Sequence, residues 1–209
     1  MLRKTGIAMA AFLVATALLT GFALAETYKI DAVHSSVRFG IRHIFSRTTG
    51  SFTDFEGEIA HDPEDPGASS VTATILVSSI DTNNERRDGH LKSPDFFDVV
   101  KYPEITFNST EVKVDGDRLL VRGDLTMHGV TQSVVLPVDV LGVGEHPMRK
   151  APIAGFSAEL TIKRSDHGVN SWTDAAGVLG DEVAVSLNIE AVGVKKEADK
   201  PEEADESEE

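Results

Sequence analysis

The 209-residue sequence contains no cysteine. Disulfides, thiolate metal centres, a thiol nucleophile and a lipidated N-terminal Cys are thereby excluded, and the fold must stand on its hydrophobic core. Positive charge is also short: 20 Lys and Arg face 34 Asp and Glu, a formal net charge of −14. A surface this acidic repels nucleic-acid backbones and anionic lipid headgroups. No nucleic-acid partner is expected, nor a basic outer patch that would grip lipid. Long apolar runs are confined to one segment near the N-terminus. Two catalytic signatures are missing as well. There is no His-Glu-x-x-His, and the nearest approach to Gly-x-Ser-x-Gly is Gly155-Phe156-Ser157-Ala158-Glu159, which lies inside a strand-like pattern.

The N-terminal segment reads as an export signal, residues 1–25. Arg3 and Lys4 precede an apolar stretch from Ile7 to Leu19, and Ala23-Leu24-Ala25 supplies the small-x-small pattern that signal peptidase reads. The alternative is an uncleaved anchor. A membrane span needs about 20 apolar residues, however, and Thr16, Thr20 and Gly21 interrupt this one. The expected mature chain begins at Glu26, with no stable membrane insertion. Residues 195–209 carry three basic and eight acidic residues and otherwise only Ala, Ser and Pro. So little apolar surface cannot offset ordering entropy, which predicts a disordered acidic tail. Residues 26–194 show no internal repeat and are long enough for one domain with a sizeable core.

Within 26–194 the dominant signal has period two. In Val183-Ala184-Val185-Ser186-Leu187-Asn188-Ile189-Glu190, large apolar residues alternate with small or polar ones, and the stretches at 71–75 and 156–163 do the same. Such alternation marks strands with one face in a core. It puts Val183, Val185, Leu187 and Ile189 inward, and Ala184, Ser186 and Asn188 outward. Eight strands are predicted near 36–43, 49–60, 70–79, 104–114, 117–127, 131–143, 153–165 and 182–193, with turn signals such as Asp115-Gly116-Asp117 between many of them. Residues 82–100 break the pattern. Thr82-Asn83-Asn84-Glu85 has the form of a capping box, and Ser93-Pro94 offers a second N-cap with an N1 proline. The expectation is a helical insertion interrupted near Gly89 and ending before Tyr102-Pro103. The fold class is all-β: an eight-stranded antiparallel barrel whose insertion forms a lid or side flap, closure removing the sheet edges. A two-sheet sandwich fits the same periodicity.

Seven histidines lie at 34, 43, 61, 90, 128, 146 and 167 without a tight pair. Zinc needs three or four converging ligands, so no metal site is assigned. Asn108-Ser109-Thr110 matches a glycosylation sequon that matters only in a eukaryotic secretory pathway. The densest polar cluster is Arg86-Arg87-Asp88-Gly89-His90-Leu91, followed by Asp95-Phe96-Phe97-Asp98. Arg87 and Asp88 are placed to pair, orient His90 and present a headgroup site. The blander role, and the favoured one, is to lock the flap onto the barrel through charge-assisted bonds. Phe96 and Phe97, adjacent on a helix, would face different ways.

Taken in order, these residues resemble the YceI-like lipid/polyisoprenoid-binding family over nearly the whole body. Five blocks carry the likeness: Tyr28-x-Ile30-Asp31-x-x-His34-Ser35 with Phe39 and His43; Ile80-Asp81-Thr82 with Arg87-Asp88-x-His90-Leu91 and Asp95-Phe96-Phe97-Asp98; Tyr102-Pro103-x-Ile105-x-Phe107-x-Ser109-Thr110; Gly123-x-Leu125-Thr126-x-x-Gly129-Val130-Thr131; and Arg164-Ser165-Asp166-x-Gly168. The resemblance implies a lipocalin-like barrel in the bacterial periplasm that holds a long polyisoprenoid, such as a quinone tail or polyprenyl alcohol. It brings no catalytic residues and no cofactor beyond that ligand. His167 stands where the family often has an aromatic residue, which implies a more polar wall near Arg164.

The residues expected to face ligand are Phe39, Ile41, Phe52, Ile75, His90, Leu91, Phe96, Phe97, Ile105, Phe107, Leu125, Phe156 and Leu187, with Arg87, Asp88 and Arg164 holding a headgroup or the flap. Two other readings stand beside the carrier. One is an enzyme on an apolar substrate with Arg87, Asp88 and His90 as its polar centre; the other is an interaction module with a packed, ligand-free barrel. Oligomeric state is open, a homodimer included.

Overall fold

Period-two alternation carries through to a single curved sheet. The computed structural model describes residues 25–172 and 177–194. Eleven strands follow in chain order among them: β1 (Glu26–Ile30), β2 (Ser36–His43), β3 (Ser46–Phe52), β4 (Phe55–His61), β5 (Ser70–Leu76), β6 (Ile80–Asp81), β7 (Glu104–Asp115), β8 (Arg118–Met127), β9 (Val130–Glu145), β10 (Pro152–Lys163) and β11 (Leu179–Gly193). The ring runs β1-β4-β5-β7-β8-β9-β10-β11 and closes through an antiparallel β1–β11 pairing. β2 and β3 continue the positions of β1 and β4, and β6 continues that of β5. The result is the closed eight-stranded antiparallel barrel that the periodicity predicts, and the sandwich is excluded.

Two differences concern continuity. The strand expected at 49–60 is interrupted at Thr53-Asp54, where Thr53 N donates to Ser79 O (3.2 Å) and Leu76 N donates to Asp54 O (3.0 Å). The break is thus tied to the 3₁₀ turn Val77–Ser79 that interrupts the facing strand. β1 lies outside the eight expected strands, because five residues following an apolar leader are too few for alternation to stand out.

Lumen aromatics seat over glycines on the neighbouring strand. A Cβ on Gly50 would lie 2.5 Å from the Phe39 Cζ, and one on Gly123 would lie 2.4 Å from the Phe107 Cζ. Each ring therefore lies flat along the wall where its neighbour has no side chain, a known device for curved sheets.

The insertion is one helix, α1 (Glu85–Lys92). Its N-cap is Asn84, whose side chain accepts from Arg87 N at 3.0 Å. Thr82 is not the cap; it is buried and donates from its backbone N and Oγ1 to Asp88 Oδ1 at 3.0 and 2.5 Å. The helix also runs through Gly89 without interruption. It stops at Lys92 because the Ser93 hydroxyl donates back to His90 O (2.7 Å), which makes Ser93 a C-terminal cap. Pro94 therefore opens a turn, and no second helix forms. Phe96 and Phe97 are thus freed from helical geometry. Residues 1–24 and 195–209, which hold all but Ala25 of the expected export signal and the whole of the expected acidic tail, lie outside the described residues.

Candidate functional site

The barrel encloses a cavity of about 750 Å³, within the range of small-molecule and cofactor sites. All thirteen apolar and aromatic positions expected to face ligand line it, and Arg87 and Arg164 line it too. Asp88 does not. Val183, Val185, Leu187 and Ile189 all line the lumen, whereas Ala184 and Ser186 border a shallow concavity on the outer wall. Phe96 and Phe97 both reach the cavity. Phe96 packs edge-on against His90 (centroids 5.0 Å) and Phe97 edge-on against Phe52 (6.3 Å). The expectation that they diverge fails because they sit in a turn.

Arg87 and Asp88 act through Thr82 instead of through each other. Arg87 donates from Nε to Thr82 Oγ1 (2.7 Å) and from Nη2 to Thr82 O (2.6 Å), while Asp88 receives the Thr82 protons. This knot ties α1 to β6 and leaves Asp88 facing the barrel wall. His90 is oriented by a different carboxylate, its Nε2 donating to Asp95 Oδ2 at 3.1 Å. Arg87 and His90 thus reach the cavity, while Asp88 is bonded to Thr82 and does not join them there.

Arg164 is buried in the 3₁₀ turn Arg164–His167 that follows β10. It donates from Nε to Gly180 O (2.9 Å) and from Nη1 to Val169 O and Ser171 O (both 2.7 Å). Nη2 has no hydrogen-bond partner among the described residues. Burial pulls the guanidinium below its ordinary pKa, with the charge of Asp181 acting the other way. His167 corrects an expectation: it is fully buried, its Nδ1 donates to Val130 O (3.1 Å), and it is not among the lining residues. The cavity wall near Arg164 is not made polar by it.

The two ends of the cavity differ. At one end α1 and the turn after it form the flap. Ser171 Oγ donates to Asp95 O, and Trp172 packs edge-on against His90 (5.6 Å) and Phe96 (6.1 Å). Asn84, Arg86, Arg87 and Trp172 line the cavity here and are solvent-exposed, so this end is the mouth. At the other end Tyr28, Ala154, Phe156 and Ala191 form a buried floor. The Tyr28 hydroxyl donates to Glu26 (2.9 Å) and its pKa is pushed up to about 12, chiefly by burial and then by that carboxylate. His61 lies edge-on to Phe156 (5.6 Å) with its Nδ1 3.3 Å from Ser69 Oγ, and burial lowers its pKa. His43, Arg86, Trp172 and His61 are lining residues that sequence reasoning missed. Trp172, the sole Trp of the chain, carried a compositional signal; His61 carried none.

Asp31, His34 and Glu190 converge outside the cavity. His34 Nδ1 lies 2.9 Å from Asp31 Oδ2 and 3.6 Å from Glu190 Oε1. The hydrogen bond raises the His34 pKa and lowers that of Asp31. Together with Val33 N donating to Asp31 Oδ1 (3.0 Å) and Ser35 Oγ to Glu190 O (3.1 Å), this cluster holds the turn between β1 and β2 against β11.

Among the described residues no helix is long and apolar enough to cross a membrane. Comparison with known proteins places this geometry. The family model of the YceI-like domain matches residues 28–191. Protein YceI of Escherichia coli O157:H7 is 43% identical over 178 residues, which is 84% of this chain and 91% of that protein. Among solved structures, BcnA of Burkholderia cenocepacia superposes with a TM-score of 0.71 at 28% identity, over 77% of this chain and 98% of that one. A polyisoprenoid binding domain from Saccharophagus degradans, implicated in plant cell wall breakdown, matches in fold with a TM-score of 0.62 at 20% identity, over 82% and 99% of the two chains.

Proposed function

The chain belongs to the YceI-like domain family, and on that premise we propose that it binds, stores or transports a long-chain polyisoprenoid lipid in the periplasm. The observation that carries this reading is the lumen: an apolar cavity of about 750 Å³, floored at one end and open beneath a flap at the other. Burial of each methylene contributes about 0.8 kcal/mol, so several isoprene units offset the ordering cost of binding. An isoprenoid quinone or polyprenyl alcohol would lie with its tail toward Phe156 and its headgroup under α1. There Arg87, Arg164 and His90 are among the polar lining groups. The description of the Saccharophagus neighbour as a polyisoprenoid binding domain is consistent with that class of ligand.

The decisive experiment is mass spectrometry of an organic extract of the protein purified from its native compartment. A stoichiometric prenyl lipid is expected. An extract with no lipid, combined with failure to take up added prenyl alcohol, would overturn the carrier reading in favour of a ligand-free interaction module.

A further inference from the structure

The cavity mouth is edged by two exposed apolar projections. The β2–β3 hairpin closes through a two-residue loop, with His43 paired to Ser46 and Ile44-Phe45 between them. Ile44 has φ +52°, and the first central position of such a turn at positive φ ordinarily calls for glycine. A β-branched residue there is a genuine outlier, and such strain gathers at functional sites. The loop is nonetheless held firmly: Ile44 N donates to Val178 O (2.8 Å), and Arg42 Nη1 donates to Ile44 O and Gly177 O (both 3.1 Å). What it presents is Phe45, fully exposed. Trp172 is also at positive φ (+63°), half-exposed, and braced against the flap by His90 and Phe96.

Position and charge indicate the partner. His43, the residue before the loop, lines the cavity, as does Trp172, so both projections stand beside the opening through which a lipid must pass. On the outer face, Arg42 and Arg47 lie directly opposite each other in the β2–β3 register. Neither has an ion-pair partner among the described residues. Like charges so placed destabilise a hairpin, and an anionic headgroup layer would relieve them. At the start of α1, Glu85 and Asp88 match Arg86 and Arg87 in number, whereas Arg42 and Arg47 of the hairpin face each other. Screening limits the opposing field of the acidic body to about 8 Å.

We propose that Phe45, Ile44 and Trp172, flanked by Arg42 and Arg47, form a docking edge that inserts shallowly into an anionic phospholipid bilayer and sets the cavity mouth against it. This surface is additional to lipid binding in the lumen, and it reverses the expectation from overall charge that the protein has no basic patch for a membrane.

Co-flotation with vesicles of phosphatidylethanolamine and phosphatidylglycerol tests it, phosphatidylcholine vesicles serving as the neutral comparison. The single Trp gives an unambiguous probe: Trp172 emission shifts to the blue and is quenched by brominated acyl chains. Phe45→Ser, on a fully exposed side chain, lowers partitioning about tenfold with no change in Tm or in prenyl alcohol uptake. Arg47→Glu weakens binding to the anionic vesicles alone. Ile44→Gly relieves the positive-φ strain of the turn, an effect offset by the added unfolded-state entropy of glycine, so Tm stays within about 2–4 °C while partitioning falls. Absence of flotation and quenching, or unchanged partitioning of Phe45→Ser, overturns the proposal. So does concentration-dependent self-association that Phe45→Ser abolishes in the absence of vesicle binding, which would assign the edge to a second copy of the chain. Uptake of prenyl alcohol from detergent, measured in parallel, reports the lumen independently, so failure of one reading is distinguishable from failure of the other.

Discussion

At the floor of the barrel, Tyr28, Ala154 and Ala191 are almost wholly removed from solvent, and His61 is buried against Phe156. At the mouth, Phe45 and Trp172 are exposed, Ile44 and Trp172 sit at positive φ, and Arg164 is buried with one nitrogen unpartnered among the described residues. The floor satisfies its polar groups and packs its apolar ones; the mouth leaves strain, exposed aromatics and polar capacity unspent. That asymmetry is expected of a container. One end must contribute stability so that the other can be shaped for entry, and strained or under-satisfied groups concentrate where function needs them.

The asymmetry can be broken most severely at the floor. Tyr28→Ala should cost about 3–5 kcal/mol in urea denaturation, as for other large aromatic truncations in a core, whereas Trp172→Ala at the mouth should cost under about 1 kcal/mol. Equal costs would show that the mouth is as much a part of the core as the floor. Next comes the flap. Asp88→Ala strips the Thr82 amide and hydroxyl of their acceptor and should destabilise by about 1–3 kcal/mol. Hydrogen exchange should quicken across α1 and remain slow in β10 and β11; uniform loss of protection would mean that α1 is no separate flap.

The lumen between the two ends is probed by parity. Leu187→Trp adds bulk inside: if ligand occupies that level, the variant loses prenyl lipid yet stays folded, while in a dry core it is destabilised by about 1–3 kcal/mol. Ser186→Trp, on the outer wall, should leave lipid content unchanged. Circular dichroism and lipid quantification on both variants decide, and equal lipid loss would refute the inward assignment of Leu187.

The smallest effect is the pH response of the floor. Burial holds the folded-state pKa of His61 below the ordinary imidazole value of about 6.5. Above that value both folded and unfolded forms are neutral and the site costs nothing. As pH falls through it, the unfolded chain takes up a proton that the folded chain resists, so stability declines. His34, raised by Asp31, acts in the opposite sense, being stabilising below its unfolded pKa and losing that contribution as pH rises. The readout is therefore the difference between wild type and His61→Gln. The variant should lose less Tm between about pH 7.5 and 5.5, and parallel curves would show that His61 does not report the floor.

Much of the wall was legible without coordinates. A strand's side chains alternate by stereochemistry, so the parity of β11 follows from its own residues, and so do Phe39, Phe107 and Leu125 as lumen positions. The flap was legible only in outline. Thr82 and Glu85 have the spacing of a capping box, yet Thr82 is drawn inward by Arg87 and Asp88, and Asn84, two residues on, caps the helix. Ser93 looks like the start of a helix and closes one, because a hydroxyl serves either end and local sequence does not say which carbonyl will be near it.

The sequence by itself determined the all-β class, the eight-strand periodicity, the inward face of β11 and the lack of thiol chemistry. Each depends on residue type and on neighbours a few positions apart. Only the tertiary structure decided that β1 closes the ring against β11, that His61 is a floor residue, that His167 turns from the cavity, and that Ile44-Phe45 and Trp172 meet at one mouth. Those facts depend on residues far apart in the chain, such as His167 and Val130, His61 and Phe156, or Tyr28 and Gly193, being brought together by the tertiary fold, and no local pattern encodes which distant groups will share a wall.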